Sequence, residues 1–353
     1  MHTVRLTVGL DPGFGLTKAV FRFADRDEPR SLSFPSVLAI VSREDEFAED
    51  GLFLPGELQF EAGETVPLDN GTLCVTGRTA AALPGARQPQ DYASWFETAP
   101  LLAAAGISRI LHGSHRDVAL ITVVSLPPAV WNNRSDFAAA ATKTLKKIVR
   151  ETRVFCVPQG LGILKTVYTE NPDAFADVER LAVIDIGHNT TDVLCFLQPS
   201  PGQFRFLRGE SLARSGVRAF VTELRSVLAR MDARWAEIPF PELEYIAAFR
   251  RHRLPSDAIR AALDRYRPAL ESNLRRLLGE DLFAADAFVL GGGGAALLPA
   301  DFFASVLGEK SCSTCTPRLI RPREVSPELA NAFGQHLLAE ELNRKIAQEV
   351  HHD

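Results

Sequence analysis

Two short segments of this chain carry the same order of residue types. LDPGFGLTKAV (10–20) and VIDIGHNTTDVLCF (183–196) each pass from an apolar strand through an aspartate, one spacer, a glycine and a polar turn with threonine into a second apolar strand. Asp11, Gly13, Phe14, Gly15, Thr17 and Lys18 mark the first copy; Asp185, Gly187, His188, Asn189, Thr190, Thr191 and Asp192 mark the second. Glycine permits positive φ and close approach, so such turns can present backbone N–H groups to phosphate oxygens. A carboxylate alone repels phosphate. Its presence makes sense if a divalent cation stands between them, its water shell held by Asp11 and Asp185. Two such hairpins facing each other across a cleft would grip a magnesium–nucleotide complex from both sides. The plainer alternative is that each aspartate caps its own turn.

A third segment, AFVLGGGGAALLP (287–299), reads as a buried strand, four glycines and the start of a helix. Gly291, Gly292 and Gly293 would let the backbone pass beneath a flat ligand, or would simply form a turn. No Lys-Ser or Lys-Thr follows, so this is not the G-x-x-x-x-G-K-[ST] phosphate loop. Nor does it open the first βα unit, as a dinucleotide fingerprint should.

In this order the three motifs resemble those of the actin, sugar-kinase and heat-shock-chaperone ATPase superfamily, and most of all the bacterial actin-like proteins that segregate plasmids, the ParM/StbA family. The two hairpins match its phosphate motifs and FVLGGGGAALLP its adenosine motif. VVSLPPAVW (123–131) is similar to the family's strand ending in Leu-Pro. VFCVPQGLGILKTVY (154–168) and SPELANAFGQHLL (326–338) resemble its two connecting helices, the second with the Ala-Asn-Ala-x-Gly core intact. The resemblance covers nearly the whole chain.

It implies an α/β actin-like fold: two ribonuclease-H-like domains around a nucleotide cleft, each with an inserted smaller subdomain. The first would span 1–158, with a variable insertion at about 31–110, and be completed by 323–353. The second would span 159–322, with a helical insertion at about 209–280. It also implies Mg2+ with ATP (or GTP), and catalytic roles for Asp11, Asp185 and Gln159. Asp11 and Asp185 would hold magnesium through water, and Asp185 would help orient the attacking water. Gln159 stands where the family places Glu or Gln; glutamine is too weak a base to deprotonate water but can orient it in line with the γ-phosphate. A residue capping its own helix is the competing reading.

Other residues keep two readings open. Lys18 would stabilise charge on the β- and γ-phosphates, or is an exposed strand lysine. Asp192 is a nucleotide-site carboxylate or a strand-end residue, and His188 reads as a solvent-facing turn residue rather than a base. Arg218 and Glu223 fall where ribose contacts are plausible. Pro12 and Phe14 depart from the family pattern, removing an N–H donor and the hydroxyl expected at 14.

The elements needed to position these residues are legible from periodicity. TVRLTVGL and TKAVFRF alternate as strands do, and VALITVVSL is a continuous apolar run suited to a strand covered on both faces. Ser135 is a candidate N-cap for the helix SDFAAAATKTLKKIVRE. The acidic run 43–50 reads as a solvated loop, and AFRRHRLP (248–255) as a solvated turn or a contact surface.

With 353 residues, 46% of them hydrophobic, the chain can bury two ordinary cores. Its formal net charge of −5 gives no attraction to bare DNA, so a DNA role would run through a DNA-binding adaptor protein. The chain has no 18-residue apolar run, and MHTVRLTVGL reads as a strand, not a secretory leader; a cytoplasmic protein without membrane contact is expected. The five cysteines fit reduced thiols, and Cys312 and Cys315 have metal-ligand spacing with no second pair to answer them.

The expected function is a cytomotive ATPase that polymerises with itself, hydrolyses ATP and segregates plasmid DNA. Two rivals remain: a nucleotide-binding adaptor that does not polymerise, and a small-molecule kinase. The kinase would need a base near the end of VALITVVSL, where Ser125 and Pro127 stand instead.

Overall fold

The computed structural model describes residues 3–26, 28–41, 63–68, 71–112, 117–237, 245–246, 248–249, 251–307 and 317–350. The acidic run 43–50, Arg250, Cys312 and Cys315 lie outside them. In chain order the strands are β1 (Val4–Pro12), β2 (Leu16–Phe23), β3 (Arg30–Pro35), β4 (Leu38–Val41), β5 (Thr65–Pro67) and β6 (Leu73–Thr76). The helices α1 (Arg78–Ala81) and α2 (Tyr92–Leu111) follow, then β7 (Val118–Leu126), α3 (Arg134–Leu145), β8 (Glu151–Pro158) and α4 (Leu161–Glu170). Next come β9 (Arg180–Ile186), β10 (Thr190–Ser200), β11 (Gln203–Ala213), α5 (Val217–Met231), α6 (Ser256–Leu278) and α7 (Asp281–Ala284). The chain ends with β12 (Ala287–Gly291), α8 (Gly292–Leu297), α9 (Ala300–Leu307), β13 (Arg318–Ile320) and α10 (Ala330–Val350).

The chain forms two compact units, Met1–Lys165 with Asn331–Asp353, and Thr166–Ala330. Each is α/β, built on a five-stranded sheet with an antiparallel triplet running into parallel strands: β3-β2-β1-β7-β8 in the first, β11-β10-β9-β12-β13 in the second. The shared order is the structural counterpart of the repeated hairpin.

Strand alternation decides what faces what in the first unit. Leu6, Val8 and Leu10 of β1 share one side and pack in a core with Trp95, Ala99, Leu102 and Ala103 of α2. Thr7, Gly9 and Asp11 therefore face the other side, towards α10: Thr7 donates to Glu340, and a Cβ at Gly9 would stand 2.1 Å from the Ala332 carbonyl oxygen. On β7, Ile121 and Val123 pack with Ala339 of α10, which puts Ser125 on that same face. α2 begins where Asp91 and Ser94 cap one another reciprocally, Ser94 N donating to Asp91 Oδ1 at 2.8 Å.

Three features differ from the sequence expectations. β3 pairs with β2, and α2 covers the main sheet, so both belong to the body of the unit although they fall within 31–110; β4, β6 and β5 form the separate small sheet. Ser135 caps nothing. A 3-10 turn over Pro128–Asn133 feeds directly into α3, whose N-cap, Asn133, makes no side-chain cap. β11 pairs with β10 as far as Ala213, so the strand-rich sheet continues past 209.

In the second unit Ala182, Ile184, Val193 and Cys195 meet Phe220 and Leu224 of α5, Tyr266 and Leu270 of α6, and Phe302 and Phe303 of α9 in one core. The buried Asp281 fastens α7 to the sheet by accepting from Arg180 Nε at 2.5 Å and Arg208 Nη2 at 2.8 Å. Residues 248–255 include an exposed turn closed by His252 N to Phe249 O at 3.0 Å and Arg253 N to Ala248 O at 2.9 Å. No described helix is long and apolar enough to cross a membrane.

Candidate functional site

In the first hairpin Asp11 stands opposite Lys18, and Pro12 opposite Thr17. Gly13 N donates to Asp11 O at 2.9 Å and Leu16 O at 3.1 Å, so this N–H closes the turn. The Asp11 carboxylate is nearly fully buried and well supplied with donors. Lys18 Nζ donates to Oδ2 at 2.8 Å; Ser125 Oγ and Asn331 Nδ2 donate to Oδ1 at 3.0 and 3.2 Å. A buried carboxylate needs such partners. Thr17 is buried with its hydroxyl 3.0 Å from Ser36 Oγ.

The Phe14 side chain, which stands where the family pattern has a hydroxyl, is packed inside the first unit. The ring is 5% exposed and packs edge-on against Tyr92 (5.9 Å between centroids) and at an angle to Trp95 (6.4 Å). Its apolar surface is better buried under the turn than aimed at a phosphate. Trp95 Nε1 donates to Pro12 O at 2.5 Å and Gln88 Nε2 to Phe14 O at 2.9 Å, fastening the turn. Phe14 is thus explained by packing, and the Pro12 and Phe14 carbonyl oxygens tie the turn to Trp95 and Gln88.

Gln159 lies in the two-residue turn with Gly160 between β8 and α4, ahead of the helix rather than on it. It is 9% exposed, and its N–H donates to Leu126 O at 2.7 Å.

The second hairpin repeats the geometry with a different charge. Asp185 stands directly opposite Asp192, both essentially buried. Thr190 Oγ1 donates to Asp192 Oδ2 at 3.0 Å and Thr191 Oγ1 to Ser215 O at 3.1 Å. Gly187 N closes the turn on Thr190 O at 2.9 Å. The turn leans on the start of α5, where Val217 N donates to Gly187 O (3.0 Å), Arg218 N to His188 O (2.8 Å) and Ser215 N to Asn189 O (3.2 Å). Arg218 and Glu223 are half-buried on the first two turns of α5.

The glycine run sits beside this hairpin, Gly291 in register with Asp185. Gly292 has φ +83°, and a Cβ there would stand 2.1 Å from Asp185 Oδ1. Any larger residue would push the carboxylate aside while occupying a left-handed conformation. A Cβ at Gly293 would meet nothing within 4 Å. Packing therefore accounts for glycine at 292, and open space is what Gly293 offers.

The residue types suit Mg2+ with a nucleotide: magnesium prefers oxygen donors and keeps several waters, and Asp11 and Asp185 are hard oxygen donors set beside glycine turns. Among the described residues no group of three or more His, Cys, Asp or Glu could hold a metal directly. Ser125, Asn331, Trp95 and Gln88 went unassigned in sequence. The signal for two of them was present: Ser125 ends an apolar strand, and Asn331 interrupts a run of small apolar residues at a helix start.

No protein-family model matches the chain, and no curated protein matches it. Solved structures do. The archaeal actin homolog Ta0583 in complex with ADP is 21% identical, covering 96% of this chain and 100% of its own with a TM-score of 0.66. A 15-stranded ParM filament from Clostridium botulinum is 14% identical over 97% of this chain and 100% of its own, TM-score 0.66. Bacillus thuringiensis ParM with AMPPNP is 13% identical over 96% and 99%, TM-score 0.57. The chain has the actin-like fold.

Proposed function

We propose that this protein is an actin-like cytomotive ATPase: it binds Mg-ATP (or Mg-GTP), polymerises with itself, hydrolyses the nucleotide and serves DNA segregation in the cytoplasm through a DNA-binding adaptor. The single observation that carries the reading is the repeated hairpin, with a buried aspartate at the same place in each of two sheets of the same strand order. Solved proteins of the same fold include one with ADP, one with AMPPNP and one in a filament.

Each hairpin contributes an aspartate and a glycine turn to nucleotide binding. Magnesium bound with ATP supplies charge neutralisation of the phosphates. Asp185 and Asp192 bring two opposed carboxylates to the second hairpin, and Asp11 is held by Lys18 in the first. Lys18 turns towards phosphate oxygens as they arrive, and Asp11 and Asp185 hold water. Gln159 orients a water for attack on the γ-phosphate, contributing placement rather than basicity. The backbone at Gly291–Gly293 passes beneath the adenosine. A nucleotide that favours one of two arrangements of the units biases polymerisation through its differential contacts.

The Ser125 hydroxyl at the end of β7 is engaged with Asp11, leaving no general base at the position a kinase would use. This favours hydrolysis over phosphoryl transfer to a small molecule. The test is pelleting and light scattering with ATP, ADP and a non-hydrolysable analogue, with phosphate release followed in parallel. Polymer that forms with ATP and decays with phosphate release supports the reading; nucleotide binding without polymer at any protein concentration overturns it in favour of an adaptor.

A further inference from the structure

The Asp11 carboxylate and the turn that carries Gln159 are joined through one side chain. Asn331, 2% exposed at the start of α10, donates from Nδ2 to Asp11 Oδ1 at 3.2 Å and to Ser125 Oγ at 3.2 Å. Its Oδ1 accepts the Gly160 N–H at 3.2 Å. The amide thus uses its donor end on the aspartate and its acceptor end on the backbone one residue beyond Gln159, a bridge that a carboxylate, which only accepts, could not make in both directions. The backbones behind it are in direct contact: a Cβ at Gly334 would stand 1.8 Å from the Gly162 carbonyl oxygen, and one at Gly162 would stand 2.1 Å from the Asn331 carbonyl oxygen. α4 and α10 therefore have little room to slide, and the Asn331 amide is the adjustable link between them and the hairpin.

We infer that Asn331 is a positioning residue: it sets the Gln159–Gly160 turn by reference to Asp11, so that the water-orienting residue is in place when Asp11 is correctly oriented. Ser125 shares the Asp11 contact and makes no bond to Gly160, so it orients the carboxylate alone. The inference rests on the nucleotide-hydrolysing reading for its consequence in turnover, while the link itself is a property of the nucleotide-free protein.

The experiment compares wild type, Asn331→Ala, Asn331→Ser and Ser125→Ala. The first readout is hydrogen exchange at the Gly160 amide without nucleotide or metal. Asn331→Ala, which leaves that amide without an acceptor, speeds its exchange about tenfold. Asn331→Ser, whose side chain is too short to span Asp11 and Gly160, speeds it as well, whereas Ser125→Ala leaves the bond intact and holds exchange near the wild-type rate. The second readout is steady-state phosphate release with Mg-ATP. Asn331→Ala lowers kcat roughly ten- to a hundredfold with KM for ATP little changed, as misplacement of a water-orienting group predicts. Unchanged Gly160 exchange in Asn331→Ala overturns the inference, as does Ser125→Ala matching it in both readouts. Should Asn331→Ala not fold, unchanged Gly160 exchange in Asn331→Ser overturns it. Active wild type with an unaffected Asn331→Ala sinks the inference and spares the proposed function; wild type that neither binds nor hydrolyses nucleotide sinks both.

Discussion

Asp185 faces Asp192 across the second hairpin at the register where Asp11 faces Lys18 across the first. The two hairpins share a backbone plan and differ by two units of charge at this one position. Directly opposed residues lie on the same face of a strand pair, so two carboxylates stand together in the second hairpin where the first sets a carboxylate against an ammonium group.

From that asymmetry, Asp185→Asn and Asp192→Asn each raise the Mg2+ concentration needed for half-maximal nucleotide binding by about tenfold, the effect of one charge at short range in a partly desolvated site. Asp11→Asn changes the magnesium requirement less and turnover more. Magnesium titrations monitored with a fluorescent nucleotide check this; equal shifts for Asp11→Asn and Asp185→Asn would contradict it.

Adjacent glycines separate packing from ligand contact. Gly292→Ala destabilises the second unit by roughly 2–4 kcal/mol, through its positive φ and the displacement of Asp185. Gly293→Ala falls in open space near a helix start and leaves stability within about 1 kcal/mol of wild type. If the backbone at 293 passes beneath the nucleotide, the same substitution weakens ATP binding. Urea unfolding and equilibrium binding, measured together, read the two effects.

Phe14→Ala costs about 3 kcal/mol in the first unit, because a nearly buried ring is removed from its place against Tyr92 and Trp95. Trp95→Phe keeps most of the packing but loses the donor to Pro12 O, costing about 1 kcal/mol. It also loosens the turn, so nucleotide affinity falls more than stability does. Thermal melting beside ATP binding distinguishes the two substitutions.

A pH effect on stability follows from His336. Burial pushes its imidazole down to about 4, although the nearby Glu340 carboxylate works in the opposite direction. The folded unit therefore holds neutral histidine. Its contribution to stability is complete above the unfolded value near 6.5 and declines as pH falls towards about 4. His336→Leu flattens that acid limb in urea unfolding measured between pH 7 and pH 4; a limb as steep as in wild type would show that the protonation lies elsewhere.

Much of the site was legible because its chemistry is local. Asp11, Gly13, Asp185, Gly187 and the glycine run announce themselves through short-range rules: a charged residue ending an apolar strand, a glycine in the turn that follows, a strand passing into a helix. The departures came where distant elements meet. Phe14 reads as a missing phosphate hydroxyl until α2 is placed beneath it. Ser125 reads in sequence only as the residue standing where a kinase base would, and its bond to Asp11 comes from the fold. Ser135 has the chemistry of an N-cap, yet the preceding 3-10 turn had already started the helix.

The sequence by itself determined the α/β class, the two hairpins and their order along the chain, because alternation and turn chemistry depend on neighbours a few residues apart. Tertiary structure alone decided which partners those hairpins received. Asn331 lies 320 residues from Asp11 in the chain, and their 3.2 Å contact exists because α10 returns to lie against β1. The partner of a buried carboxylate is chosen by packing, and packing across such separations leaves no periodic trace in the sequence.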